Sequence, residues 1–180
     1  IGSQEAEIAI DAAASQFYRD RKYILENQET TKIVLVDFYK DLVSRFNIIS
    51  IEDPFAEDDW NGFQEICRTL PKTIIVGDDL TTTNIKIIKE AHSKNACNGV
   101  IIKPNQIGTV TETIEAAQLA KSYGWKVIVS HRAGETMDTF ISDLAVGVGA
   151  DFIKSGSPTQ PERMVKYNRL LEIENELARK

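Results

Sequence analysis

Short runs of β-branched and aliphatic residues recur along the chain, and each stops at a charged or hydrogen-bonding side chain. Ile8-Ala9-Ile10 stops at Asp11, Ile48-Ile49-Ser50-Ile51 at Glu52-Asp53, and Ile74-Ile75-Val76-Gly77 at Asp78-Asp79. Val100-Ile101-Ile102 stops at Lys103, Val127-Ile128-Val129 at Ser130-His131-Arg132, and Phe152-Ile153 at Lys154. After Glu52 the stops follow one another at intervals of 23 to 28 residues. Brief continuous apolar runs bounded by polar residues read as strands buried on both faces.

Helical periodicity fills the intervals. Helices are predicted over 31–46, 57–70, 84–92, 109–124, 137–148 and from 159 nearly to Lys180. In the first of them Ile33, Val36, Leu42, Val43 and Phe46 make the apolar stripe expected to face inward. Thr109 with Glu112 and Thr159 with Glu162 have the spacing of capping boxes, the second with Pro161 in its first turn. Residues 17–25 read as a short hairpin inserted after the first strand.

Strand and helix alternate about six times without a low-complexity linker, which demands a parallel sheet covered by helices. A doubly wound open sheet and a (β/α) barrel both satisfy that pattern. There is no Gly-rich phosphate fingerprint, and polar residues follow nearly every strand instead of clustering at one switch point. The expected fold is therefore an α/β barrel of the TIM type, in which all strand C-termini meet at one mouth. Six βα units are two short of closing one.

Composition narrows the function classes. A net charge of −6 and a pI near 5.0 argue against a nucleic-acid or anionic-membrane surface. No apolar run approaches the ~20 residues needed to span a bilayer. Two cysteines, Cys67 and Cys97, make no disulfide framework and read as thiols of a cytoplasmic protein. With only two histidines, a metal site here has to be built mainly from carboxylates.

Those carboxylates are available. If the strand ends converge, Asp11, Glu52 and Asp78 form an all-oxygen cluster suited to a hard cation such as Mg²⁺. Asp53 and Asp79 adjoin two of them, so spacing alone leaves the choice within each pair open. Lys103 and Lys154 end buried runs, where desolvation and neighbouring cations lower an ammonium pKa toward that of a base. Arg132 offers a planar fork for a phosphate or carboxylate.

The motifs carrying these residues closely resemble the enolase (phosphopyruvate hydratase) family. They are Ser50-Ile51-Glu52-Asp53-Pro54-Phe55, Gly77-Asp78-Asp79-Leu80-Thr81, Lys103-Pro104-Asn105-Gln106-Ile107-Gly108-Thr109 and Ser130-His131-Arg132-Ala133-Gly134-Glu135-Thr136. The tail from Ile153-Lys154-Ser155-Gly156 through Glu162-Arg163 and Lys166-Tyr167-Asn168 belongs with them.

The resemblance implies Mg²⁺-dependent dehydration of 2-phosphoglycerate to phosphoenolpyruvate, a glycolytic step, in a homo-oligomeric enzyme. It implies that Asp11, Glu52 and Asp78 hold the first Mg²⁺ and that Lys103 removes the C2 proton. Lys154 faces the substrate carboxylate, Ser130 and His131 line the substrate site, and Arg132 takes the phosphate. The chain departs from the family pattern at Ala133, where serine is usual. The family's N-terminal α+β domain, its opening ββαα segment and its general acid have no counterpart among these 180 residues. That missing N-terminal part is an expected partner, and the chain alone is expected to be inactive. The alternatives are another dehydratase of the same superfamily, or a non-catalytic interaction protein whose C-terminal Lys180 engages a lysine-binding module.

Overall fold

The computed structural model describes residues 6–25 and 27–179, so Lys180 lies outside the described part. The chain separates into two compact units, one of residues 1–81 and 86–99, the other of 82–85 and 100–180.

The first unit opens with strand β1 (Ile8–Asp11) and a single 3₁₀ turn (Ala14–Phe17). Three short strands follow, β2 (Tyr18–Arg19), β3 (Lys22–Leu25) and β4 (Gln28–Thr30), paired antiparallel as a small separate sheet. The expected hairpin is thus extended by a third strand. Its anchor is Tyr23, whose buried hydroxyl donates to Asp59 (2.9 Å) and accepts from the Ala56 N–H (3.0 Å).

Helix α1 (Lys32–Arg45) leads into β5 (Ile48–Glu52), then α2 (Trp60–Thr69), β6 (Ile74–Gly77) and α3 (Ile85–Lys94), which belongs to this unit from Lys86 onward. The strands lie in the order β1-β5-β6 and run parallel.

Two details of the helices differ from the periodicity reading. Ile33 is 75% exposed and Phe46 46%, while Leu35, Val36 and Tyr39 are buried. The inward face of α1 follows 35, 36 and 39, with 42 and 43 at its margin, because Tyr39 fixes the helix rotation by donating to the Pro54 carbonyl (3.0 Å) and stacking edge-on against Phe55. Helix α2 starts at Trp60, three residues later than expected. Asp59 is its N-cap, accepting from the Gly62 N–H (3.1 Å), which satisfies one of the orphan donors of the first turn. Phe55 is the centre of this core, with Tyr23, Tyr39 and Phe63 in edge-to-face contact around it at 5.7 to 6.3 Å.

The second unit contains β7 (Gly99–Ile102) from Val100 onward, β8 (Lys126–Ser130) and β9 (Phe152–Lys154), in that order, with β8 and β9 parallel. Between them run the one-turn helix α4 (Pro104–Ile107), α5 (Val110–Ser122) and α6 (Phe140–Gly147), and α7 (Pro161–Ala178) follows β9. Helix α4 has too few residues to show a period. Thr109 caps α5 as expected, accepting from the Glu112 N–H (3.2 Å). The second capping box does not form. Pro161 occupies the first helical position, so Gln160 becomes the N-cap and the Thr159 hydroxyl turns to Ser157. Helix α6 begins three residues late, where Asp138 accepts the Phe140 N–H (2.8 Å) and closes a turn ahead of it. Helix α5 packs on β8, and Val127 and Val129 of the strand are buried together with Ala116, Ala117 and Ala120 of the helix.

Candidate functional site

In the first unit, strand register decides which acids share a face. Asp11 pairs with Glu52, and Glu52 pairs with Val76, in parallel alignment. Neighbours in register point to the same side of a sheet, so Asp11 and Glu52 share one face, and Asp78 lies in the turn just past the end of β6. Their surroundings differ. Asp11 is exposed, whereas Glu52 and Asp78 are buried and therefore are not ordinary solvated turn acids.

Asp53 is buried more deeply still. Its carboxylate accepts the backbone N–H groups of Asp78 (3.0 Å) and Asp79 (2.8 Å), so it staples the turn after β6. Asp53 reaches that position by adopting a left-handed backbone (φ 41°), a conformation aspartate tolerates. Gly77 matters for the same turn, because a Cβ there would lie 2.8 Å from Thr81 Cγ2.

Carboxylate oxygens of Asp53, Asp78 and Asp79 come within 4.8 Å of one another. Burial pushes the Asp53 carboxyl up to about 7; the two N–H donors oppose that rise, and the charges of Asp78 and Asp79 add to it. This all-oxygen cluster, which shares only Asp78 with the predicted ligands, suits a hard divalent cation and no soft metal. Sequence spacing could not separate Asp53 from Glu52 as a ligand. The structure gives Asp53 a job of its own, with both oxygens committed to backbone donors.

In the second unit, Lys103 follows β7 directly and is the N-cap residue of α4. Its backbone N–H donates to Thr83 Oγ1 (3.0 Å), and that buried hydroxyl also meets Gln106 Oε1 (3.0 Å). Thr83 thus fixes the backbone from which Lys103 projects. No sequence signal marks it, since a threonine after a strand is common.

Ser130 and Lys154 are in register across β8 and β9. The Lys154 carbonyl accepts two bonds from His131, one from its backbone N–H (2.9 Å) and one from Nδ1 (2.7 Å). A carbonyl only accepts, so Nδ1 carries the proton and the neutral ring leaves Nε2 as an acceptor. Burial lowers the His131 pKa, with Arg163 and Lys154 nearby acting in the same direction and the Lys154 carbonyl and Glu135 acting against it. Because the unfolded chain takes up the proton first, stability should fall as pH drops below ~6.5. His131→Asn should flatten that part of the stability–pH curve measured by urea unfolding. An unchanged slope would mean that other groups control it.

Arg132 and Ala133 are exposed. The turn that carries them is held from α7, by Arg163 at the carbonyls of Arg132 (3.0 Å) and Ala133 (3.2 Å) and by Lys166 at that of Thr136 (2.5 Å).

Residues 2–180 match the family model described as "Enolase, C-terminal TIM barrel domain". The chain belongs to this family. Its α/β fold of parallel strands and covering helices is accordingly that TIM barrel domain. Among similar proteins, the enolase of Sulfurisphaera tokodaii is 50% identical over 169 residues, covering 94% of this chain and 41% of the relative. The enolase of Acidothermus cellulolyticus is 48% identical over 175 residues (97% and 41%), and that of Saccharolobus solfataricus 49% over 173 (95% and 41%). The chain spans about two fifths of the length of these enolases. No helix among the described residues is long and apolar enough to cross a membrane.

Proposed function

We propose that this chain carries the metal-binding acids and the proton-abstracting base of an enolase, which dehydrates 2-phosphoglycerate to phosphoenolpyruvate with Mg²⁺ in the cytoplasm. The observation that supports this most is the register that sets Asp11 beside Glu52 at the ends of β1 and β5, with Asp53 stapling the turn that bears Asp78. A bound Mg²⁺ would neutralise charge that builds on the substrate carboxylate as the C2 proton leaves.

The protein's own residues have these roles. Asp11, Glu52 and Asp78 hold the cation. Lys103 takes the C2 proton, Lys154 binds the substrate carboxylate, and Arg132 binds the phosphate through its fork. His131, with its tautomer set by the Lys154 carbonyl, presents Nε2 to the substrate beside Ser130. The N-terminal remainder of such an enzyme is the partner this reading requires, and a homo-oligomer is the expected assembly.

Metal binding is the direct test. Single Asp11→Asn, Glu52→Gln and Asp78→Asn replacements should each weaken Mg²⁺ by at least about 10-fold, or ~1.4 kcal/mol, in calorimetric titration. Unchanged affinity in all three would remove the assignment.

Ala133 yields a second, smaller expectation. If the turn faces the phosphate, Ala133→Ser adds a hydroxyl donor and tightens 2-phosphoglycerate binding, by at most roughly 1.5–3 kcal/mol for a bond to a charged group. Weaker binding in Ala133→Ser would show that the pocket is shaped around the methyl group and takes its phosphate contact elsewhere.

A further inference from the structure

The turn from His131 to Thr136 carries Arg132 on its surface, yet its backbone is gripped by buried charged side chains. Arg163 in α7 directs Nη1 to the Arg132 carbonyl (3.0 Å) and Nη2 to the Ala133 carbonyl (3.2 Å). One turn further along α7, the Lys166 ammonium makes three bonds. They go to the Thr136 carbonyl (2.5 Å), the Glu162 carbonyl (2.7 Å) and a Glu135 carboxylate oxygen (2.6 Å). The other Glu135 oxygen accepts the Arg132 backbone N–H (2.8 Å). The backbone N–H and C=O of Arg132 are therefore both held by charged side chains, on opposite sides of its Cα.

Such an arrangement is costly. Lys166 is 0% and Arg163 9% exposed, and taking these charges out of water costs free energy that an apolar contact would not. Connecting β8 to α6 does not require it. Neighbouring residues are fitted to the clamp as well. Gly156, in a left-handed conformation (φ 83°), is where an added Cβ would lie 3.2 Å from Arg163 Cδ. Its carbonyl is held by the Tyr167 hydroxyl at 2.6 Å, and Ser155 Oγ reaches the Arg163 carbonyl. Every bond that Lys166 makes is to the scaffold, so its charge is not directed at a ligand.

We propose that Arg163, Lys166 and Glu135 are positioning residues, which fix the backbone of Arg132 so that its guanidinium is presented to a phosphate in one orientation. The inference rests on the reading of Arg132 as the phosphate-binding residue. Arg163 is the member whose shape matters most, because a planar fork spans two successive carbonyls and a lysine ammonium does not.

The test uses the full chain with Mg²⁺ and 2-phosphoglycerate as the probe. Arg163→Lys and Glu135→Gln are each made with Arg132 present and in an Arg132→Gln background. Affinity is measured by calorimetry and backbone order by hydrogen exchange of the amides of residues 132–136. With Arg132 present, Arg163→Lys should weaken binding about 10-fold and speed exchange in the turn. With Arg132→Gln it should change affinity by less than about 2-fold, because residues that act as a unit couple strongly. Equal losses in both backgrounds would overturn the proposal and leave Arg163 a purely structural residue. If Arg132→Gln alone leaves affinity unchanged, the substrate assignment fails instead, and the exchange data then decide the clamp. Unaltered exchange in both Arg163→Lys and Glu135→Gln would overturn it.

Discussion

In an active enzyme built on this chain, Lys103→Ala should slow exchange of the C2 proton of 2-phosphoglycerate with solvent by about 10²–10⁴-fold, the usual contribution of a positioned general base. Substrate affinity should fall far less. On the proposed reading the base acts only in the transfer, whereas Arg132, Lys154 and the bound cation would hold the anion before and after it. Local geometry favours Lys103 for the part. It leaves the end of β7, whose four residues are all buried, and its backbone is fixed by the buried Thr83 hydroxyl. A side chain launched from a fixed backbone starts close to its working position. Thr83→Val removes that anchor without touching the ammonium, and should slow exchange by a smaller factor. Isotope exchange followed by NMR measures both. Exchange at the normal rate in Lys103→Ala would place the base elsewhere, with Lys154 the next residue to replace.

Lys166→Met should cost about 3–5 kcal/mol of stability, the typical loss when one member of a buried ion pair is removed. The change leaves Glu135 and the Thr136 carbonyl without the buried Lys166 ammonium, and of the two side-chain ties from α7 to the turn before α6 only Arg163 remains. Urea unfolding would show it as a lower midpoint with an unchanged slope. Replacing Glu135 in the same molecule should cost less than the sum of the two single changes, because the stranded carboxylate disappears with it.

The pair also sets an acid limit. Burial alone would raise the Glu135 pKa, but the bond from Lys166 and the N–H of Arg132 hold it below the usual glutamate value. A carboxyl with a lowered folded-state pKa stabilises the fold fully above its unfolded value of ~4.3. It loses that contribution as pH falls through the folded value. Glu135→Gln should therefore show a shallower loss of stability below about pH 4.3 than the parent chain. A Lys166→Met variant as stable as its parent would mean that the buried network has no net effect on folding.

Much of the fold was legible in the chain because each apolar run is short, continuous and closed by a polar residue. Every strand inferred in this way is present to within two residues at its ends, from Ile8–Asp11 to Phe152–Lys154. Helix boundaries were less legible where side chains competed with the simple pattern. Asp59 capped α2 late, Pro161 moved the cap of α7 to Gln160, and Asp138 delayed α6. The inward face of α1 departs from its apolar pattern for a different reason. Ile33 and Phe46 are as apolar as Leu35, and only the docking of Tyr39 on Phe55 and Pro54 determines which side turns inward.

The candidate site divides along the same line. The sequence by itself determined the chemistry on offer: acids in the first half, lysines and an arginine in the second, each at the end of a short apolar run, in motifs resembling one family. Those features depend on residue type and local order, which a one-dimensional string records in full. Only the tertiary structure decided what each group is attached to. Asp53 and Glu52 are adjacent letters, yet Asp53 staples the turn after β6 while Glu52 lies in register with Asp11. Arg163 and Lys166 look like the solvated face of a terminal helix, yet both are buried against a turn about 30 residues earlier. Apart from the Glu135 carboxylate, their partners there are backbone carbonyls. Every residue has one, so no sequence pattern could point to them.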